Sequence, residues 1–313
     1  MAWIALTCPQ CGSPLPRIAL WRSVKCTACG ALVVRSEDSR VTRETFRQAL
    51  IRAAQDAVGG GALVCGGTSY QLVQVLGASE LSRVYLARRV GSLPLLATIK
   101  LSSASRAEAL YAREAEVSRE LQLLDRDGAG VYFSPLLPEV MAHGAVDRNH
   151  GGRALVLRHP TGYWGSLASL NERFAAGLDP RHAVWIWRRM LEIMNFIHTN
   201  GWCHGDVRPE HALVHPPNHG VRFIGWSSAR KGAGEKDQAA DLCRSARVVQ
   251  VLLCGTSGPN LPDSVPAGLA RLVTRAATDE GFCRSQGGDG LDAQLRAEAT
   301  VAFGPPSYVP FEI

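Results

Sequence analysis

The chain contains no apolar run close to the about 20 residues needed to span a bilayer. One of the longest, Val248 to Cys254, is seven residues and is broken by Gln250. A secretory leader is not expected either, because Cys8 and Pro9 arrive before any basic and apolar segment has formed. Evenly used cysteines are lacking too: there are nine, an odd number, and four of them sit in two tight pairs. This is not the pattern of a secreted disulfide scaffold. Integral-membrane, fibrous, collagenous and coiled-coil classes are excluded on these grounds, and a cytoplasmic protein is expected. The 313 residues are 46% apolar and 20% charged, ordinary values for globular chains. Their length suits one large domain with a small one, or two medium ones.

The tight cysteine pairs come first. Cys8-Pro9-Gln10-Cys11 is followed by Gly12, and Cys26-Thr27-Ala28-Cys29 by Gly30. Each Cys-x-x-Cys turn places two thiols on one side. The following glycine takes unusual backbone angles and leaves amide N–H groups to face the thiolates. Two such turns supply four soft ligands in the tetrahedral set that Zn²⁺ accepts, with no position open for water, so the metal is structural. The arrangement resembles a zinc ribbon over residues 1–36, with 18–21 and 31–34 as its short strands. A segment this short needs a metal to fold.

A helix is expected over 41–58, where Phe46, Leu50, Ala53, Ala54 and Ala57 share a face, and Gly59-Gly60-Gly61 ends it. Residues 37–61 therefore read as a linker. Residues 1–58 hold eight Lys or Arg against four Asp or Glu, most of the net charge of +6. Nucleic-acid binding through this region is one alternative. A solvated Arg-rich surface is the other, favoured because the ribbon lacks interleaved aromatics.

Beyond residue 62 the pattern changes. Strand-like runs cover 70–76, 83–89 and 95–101, followed by an amphipathic helix over about 105–124 with Ala107, Leu110, Glu114, Val117 and Leu121 on one face. Strand signals return at 139–141 and 154–158. Residues 180–199 form a helix apolar on nearly all sides, and hence buried. A β-rich front and a helix-rich back suggest two lobes, about 62–158 and 159–313. Helices are also expected over 266–278 and 291–299, and the tail over 303–311 is extended by its prolines and expected to dock through its aromatics.

His204-Gly205-Asp206-Val207-Arg208-Pro209-Glu210-His211-Ala212-Leu213-Val214 follows the buried helix and precedes a strand–turn–strand. This stretch resembles the protein-kinase catalytic loop, HRDxKPxNxLx, and the resemblance to that superfamily runs from about Tyr70 to Ala277. It implies an α+β, bilobal protein-kinase-like fold behind the ribbon. It also implies roles: Asp206 as the catalytic base and Arg208 in place of the loop lysine, retaining charge with a different fork. Lys100, in Ala97-Thr98-Ile99-Lys100, stands as the lysine that grips nucleotide phosphates, and Glu114 as its helix partner. A lone Lys and Glu would be solvated surface charges; their order and spacing relative to Asp206 give them meaning. Asp241 matches the buried aspartate that braces the catalytic loop.

Departures from the family are equally specific. Of the glycine-rich loop GxGxxGxV, only Gly77 and Val84 match, with Ser79 and Ser82 at glycine positions. Ile224-Gly225-Trp226-Ser227 aligns with DFG, so Gly225 replaces the metal-binding Asp, and His211 replaces the Asn that holds the second ion. Both Mg²⁺ positions are degraded. Asp241 follows Gly225 by only 16 positions, with no Ala-Pro-Glu element between them, and Ser227 to Asp237 reads as a short flexible turn. The expectation is a pseudokinase acting as a regulator or scaffold; ATP binding through Lys100 stays open, since the glycine loop is degraded but the lysine remains, and an ordinary Mg²⁺-dependent mechanism is not expected. Its partners would be other signalling proteins and not membranes. Gly177-Leu178-Asp179-Pro180 before the buried helix, with the Phe-Gly-Pro tail, resembles divergent bacterial kinase-like proteins encoded beside signalling partners. An active, atypical ATP-dependent phosphotransferase using Asp206 stays open. His182, His198, His215 and His219 read as surface or packing residues, and Cys65, Cys203, Cys243, Cys254 and Cys283 as buried and inert.

Overall fold

A computed structural model describes residues 23–25, 32–34, 62–91, 95–125, 128–147, 152–160, 162–256 and 260–313. Cys8, Cys11, Cys26, Cys29, the expected helix over 41–58 and the glycines 59–61 lie outside the described residues. Two short strands near the cysteines are described, β1 (Ser23–Lys25) and β2 (Leu32–Val34). They pair antiparallel, with Lys25 opposite Leu32 and Ser23 opposite Val34.

The chain divides into two compact units, one containing residues up to Glu116 plus Glu139–Gly162, the other Val117–Pro138 plus Tyr163–Ile313. The first unit is built on six antiparallel strands: β3 (Ala62–Cys65), β4 (Thr68–Ala78), β5 (Arg83–Arg89), β6 (Leu96–Ser102), β7 (Val140–Asp147) and β8 (Arg153–Arg158). They close into a barrel in the order β3-β4-β5-β6-β8-β7. Closure comes from the pairing of Val64 with Asp147 and Cys65 with Val146, which leaves no open sheet edge. Alternation decides which side chains fill it. Ala97 and Ile99 of β6 and Ala154 and Val156 of β8 join Leu63, Tyr70, Leu72 and Ala87 in the interior. Thr98, Lys100, Leu155 and Leu157 are the alternate residues of the same strands.

The helix α1 (Ala107–Leu121) begins in this unit. Ala107, Tyr111 and Ala115 pack with Leu155 and Leu157, and Leu81 joins them. Ala107, Glu114, Val117 and Leu121 of the expected face are buried, but Leu110 is 39% exposed and Tyr111, 3% exposed, is buried instead. The tyrosine ring covers the β8 leucines, and its hydroxyl reaches the Ser82 hydroxyl at 2.6 Å.

In the second unit α4 (Pro180–Thr199) is central, preceded by α2 (Gly130–Phe133) and α3 (Leu167–Arg173). Asp179 caps α4 by accepting the Arg181 N–H at 2.8 Å, and Pro180 occupies the first helical position, where no amide bond is lost. Ile186, Trp187, Met190, Leu191, Ile193 and Met194 are all buried. α5 (Glu235–Cys254) and α7 (Glu280–Phe303) pack on it, with α6 (Ala267–Thr278) against both of these. Helix α7 starts well before residue 291, because Asp279 caps the Phe282 N–H at 2.8 Å. Its glycines permit a break at Gly287 (φ +63°) and close approach at Gly288, where a Cβ would collide with the Asn195 amide.

Short strands carry the loops of this unit. β9 (Gly165–Ser166), β11 (Ala212–His215) and β12 (Gly220–Phe223) form one small sheet. β10 (Trp202–Cys203) pairs with β13 (Arg230–Lys231). The segment 227–237, expected to be a flexible turn, is thus held. Arg230 pairs Asp237 at 2.6 Å, Lys231 reaches Glu120 at 2.7 Å, and the Ala233 N–H donates to the Gly201 carbonyl at 3.1 Å. Among the described residues no helix is long and apolar enough to cross a membrane.

Candidate functional site

In the first unit, Gly77, Val84, Lys100 and Leu155 stand opposite one another across four neighbouring strands. Lys100 donates to both carboxylate oxygens of Glu114, each at 2.7 Å. Glu114 is 3% exposed and Lys100 18%, so water screens this pair little. The structure thus brings Lys100 and Glu114 together, one from β6 and one from α1.

The loop between β4 and β5 is closed on itself. Its Ser79 N–H donates to the Ser82 carbonyl at 2.8 Å, and the Ser82 N–H to the Ser79 hydroxyl at 3.1 Å. Two amides that a glycine-rich loop would offer to phosphate are therefore spent internally. The contact between Ser82 and Tyr111 ties this loop to α1. Burial raises the Tyr111 phenol above its ordinary range, against an opposing hydrogen bond with Ser82. A Cβ at Gly77 would meet nothing within 4 Å, so that glycine answers no steric demand.

In the second unit the residues around Asp206 are fixed from below by Asp241 on α5, which is fully buried. Its carboxylate accepts the backbone N–H of His204 at 2.6 Å and of Gly205 at 2.9 Å. His198 lies 3.4 Å from the same carboxylate and Arg244 3.5 Å. Burial on its own would raise the Asp241 pKa, but the His198 contact, nearby His204 and the backbone N–H groups outweigh it and hold it below the ordinary carboxylate range. Arg244 also donates to the Gly205 carbonyl at 3.1 Å. Gly205 has φ +79°, and a Cβ there would lie 2.5 Å from the Ser228 carbonyl oxygen, so only glycine fits.

His204 is fully buried against Trp226 and Phe223. Its Nδ1 accepts the Asp206 N–H at 3.3 Å, which leaves Nε2 to donate to the Ile224 carbonyl at 3.1 Å. Desolvation pulls its pKa down to about 4 despite the neighbouring Asp241, so it is neutral.

Asp206 is engaged. Arg208 sits 3.0 Å from its Oδ2. Nδ1 of His211, at the end of a short 3₁₀ turn over Pro209–His211, lies 2.8 Å from the Asp206 carbonyl oxygen and 3.3 Å from Oδ2. A carbonyl only accepts, so Nδ1 carries the proton. The far edge of the same ring covers Gly225, whose φ is +78°: a Cβ at 225 would lie 2.8 Å from both Cδ2 and Nε2 of His211. Residues 206, 208, 211 and 225 therefore meet in one constellation, whose backbone Asp241 braces through His204 and Gly205.

The donors at 211 and 225 are an imidazole and no side chain at all. Mg²⁺ prefers oxygen ligands in near-octahedral geometry, so these residues do not fit it. Among the described residues, no group of three or more His, Cys, Asp or Glu is arranged to hold a metal.

Sequence reasoning missed the parts that join distant segments. His198, read as packing, faces Asp241 across 43 positions of sequence. His182 and His219 belong to a ring cluster with Trp185 and Phe311. Arg244, three residues after Asp241, was visible only as a charge one helical turn away. All five described cysteines are buried, and burial raises the thiol pKa of Cys203, Cys243, Cys254 and Cys283, the last to about 12. No protein-family model matches the chain, and no curated protein matches it.

Proposed function

We propose that the chain is a divergent protein-kinase-like protein that acts as a regulator or scaffold for other signalling proteins, a pseudokinase with a structural zinc ribbon over residues 1–36. The observation that carries this reading is the set of groups around Asp206. Its carboxylate is ion-paired with Arg208 and contacted by His211, beside a Gly225 that has no ligand atom. With an imidazole at 211 and no side chain at 225, phosphoryl transfer loses the metal-borne charge neutralisation it depends on. The Asp241 brace on His204 and Gly205 supports the kinase-like assignment of the loop. The pairing of Lys25 with Leu32 supports the ribbon, since the six residues it encloses contain Cys26 and Cys29.

ATP calorimetry with and without Mg²⁺ or Mn²⁺ tests the reading, with Lys100→Met as a control whose fold is verified by circular dichroism. Metal-independent binding lost in the control is expected. Binding that requires a metal would reverse the assignment.

An active phosphotransferase is the second reading, favoured by the intact Lys100–Glu114 pair. It requires that Asp206→Asn abolish transfer while leaving the protein folded, and transfer that survives the change would remove Asp206 from the base role.

A further inference from the structure

We infer that His211 and Gly225 are a single steric exchange that closes this site to divalent cations, so that neither substitution alone reopens it. The inference rests on the kinase-like alignment of the two positions, but the packing it describes does not. An aspartate at 225 needs a Cβ, and that Cβ would lie 2.8 Å from two atoms of the His211 ring and 2.9 Å from a third. Heavy atoms of this kind do not approach so closely.

A flexible side chain would swing aside, but this ring is tied. Its Nδ1 is bonded to the Asp206 carbonyl oxygen at 2.8 Å and lies 3.3 Å from the Asp206 carboxylate. Its other side faces the buried His204 ring, 6.1 Å between centroids. Moving it to admit a side chain at 225 breaks the contact that helps shape the Asp206 loop. The reverse also holds: without a Cβ at 225 the ring has room to lie where it does. The positive charge around Asp206 then comes from the Arg208 guanidinium, 3.0 Å from Oδ2. A phosphate-bearing ligand at this site is bound without a metal ion.

Two measurements decide this. The first is a double-mutant cycle in urea with Gly225→Ala, His211→Ala and the double variant. Alanine at φ +78° is strained in either background, so backbone strain cancels and the contact with the ring is isolated. Gly225→Ala should lower the midpoint in the parent, and at least half of that shift should vanish when His211 is alanine. Equal shifts in both backgrounds overturn the inference, whatever ATP calorimetry gives.

The second is Mn²⁺ binding by electron paramagnetic resonance, on the full chain and on Gly225→Asp, His211→Asn and their combination. Thiolate sites favour softer ions, and Mn²⁺ suits oxygen ligands, which keeps the ribbon out of the signal. Only the combined variant should bind Mn²⁺ at millimolar concentration above the parent level. Binding by the parent or by Gly225→Asp alone overturns the exchange. A coupled urea cycle with a folded but Mn²⁺-silent double variant would instead defeat the alignment of 211 and 225 with metal positions, and with it the cation part of the inference.

Discussion

Both carboxylate oxygens of Glu114 lie 2.7 Å from the ammonium of Lys100, and Glu114 is nearly sealed from water. Removing one partner from such a pair costs more than removing both, because a buried charge loses its counter-ion. Lys100→Met should therefore destabilise the first unit by about 3 kcal/mol. Lys100→Met combined with Glu114→Gln should recover most of that loss. Urea titrations of the three proteins check this, and equal stabilities for the single and double variants would show that the pair is not coupled.

The pH dependence of the second unit follows from His204. Folded, its pKa is about 4; unfolded, it returns to the ordinary 6.5. Between these values the unfolded chain binds a proton that the folded one refuses, so stability falls as pH drops from 6.5 toward 4 and is fully present above 6.5. A shift of this size corresponds to about 3 kcal/mol. The groups facing the ring are Asp241, His211, Asp206 and the Ile224 carbonyl, and the Asp241 charge opposes the shift without cancelling it. His182, His215 and His219, also lowered by burial, add in the same direction. Asp241, whose pKa is held below the usual range, adds a further loss below about 4 as it is protonated in its turn. Replacing His204 with Gln keeps a donor for Ile224 and removes the titration. Its stability profile between pH 4 and 6.5 should be flatter than the parent's, and an unchanged slope would exclude His204 as the source.

Local signals were legible where periodicity and capping agree. Residues 180–199 read as a buried helix, and α4 has those bounds, because Asp179 and Pro180 mark its start and apolar residues surround it. The strands near 83–89 and 95–101 were visible from alternation. Barrel closure was not, since it depends on two residues, Val64 and Cys65, pairing with a strand some eighty positions later. The same limit governs the site. Within the first unit the pairing of Lys100 with Glu114, and within the second the bracing of the Asp206 loop by Asp241, follow the spacing of those residues, whereas the His211 ring lying over Gly225 was not legible, since composition says nothing of which way an imidazole turns. On α1 only Leu110 falls off the expected buried face, because a tyrosine whose hydroxyl finds Ser82 can be buried as readily as a leucine.

Four thiolates at Cys8, Cys11, Cys26 and Cys29 should hold one Zn²⁺ per chain. Ligands of this kind couple binding to folding, with apparent free energies of about 10–16 kcal/mol at neutral pH. Metal analysis of the purified chain should give one equivalent, and Cys26→Ser should lose most of it. An equivalent retained in the variant, or absent from the parent, would rule out this ligand set. Chelation should leave the Lys100–Glu114 and Asp241 contacts untouched if the ribbon folds as its own module, a point that amide exchange in the two units would test.

The C-terminal tail ends in a ring stack whose geometry predicts a graded response. Phe311 is 7% exposed, with its ring 4.3 Å from His182, 5.7 Å from Trp185 and 5.9 Å from Phe174. His219 lies between Trp185 and Tyr308, 4.5 Å from each, and Nε2 of its ring is 2.9 Å from the Val309 carbonyl oxygen. Tyr308 donates to the Pro217 carbonyl at 3.2 Å but is 63% exposed. Deleting the Phe311 ring leaves a cavity lined by three rings, which should cost about 3 kcal/mol, near the low end for a buried phenylalanine. Tyr308→Ala removes one stacked face and an exposed hydrogen bond, for about 1 kcal/mol. The order of the two effects is the test. A tail that merely lies on the surface would show both variants at the parent midpoint in urea, whereas a docked tail loses markedly more with Phe311→Ala than with Tyr308→Ala.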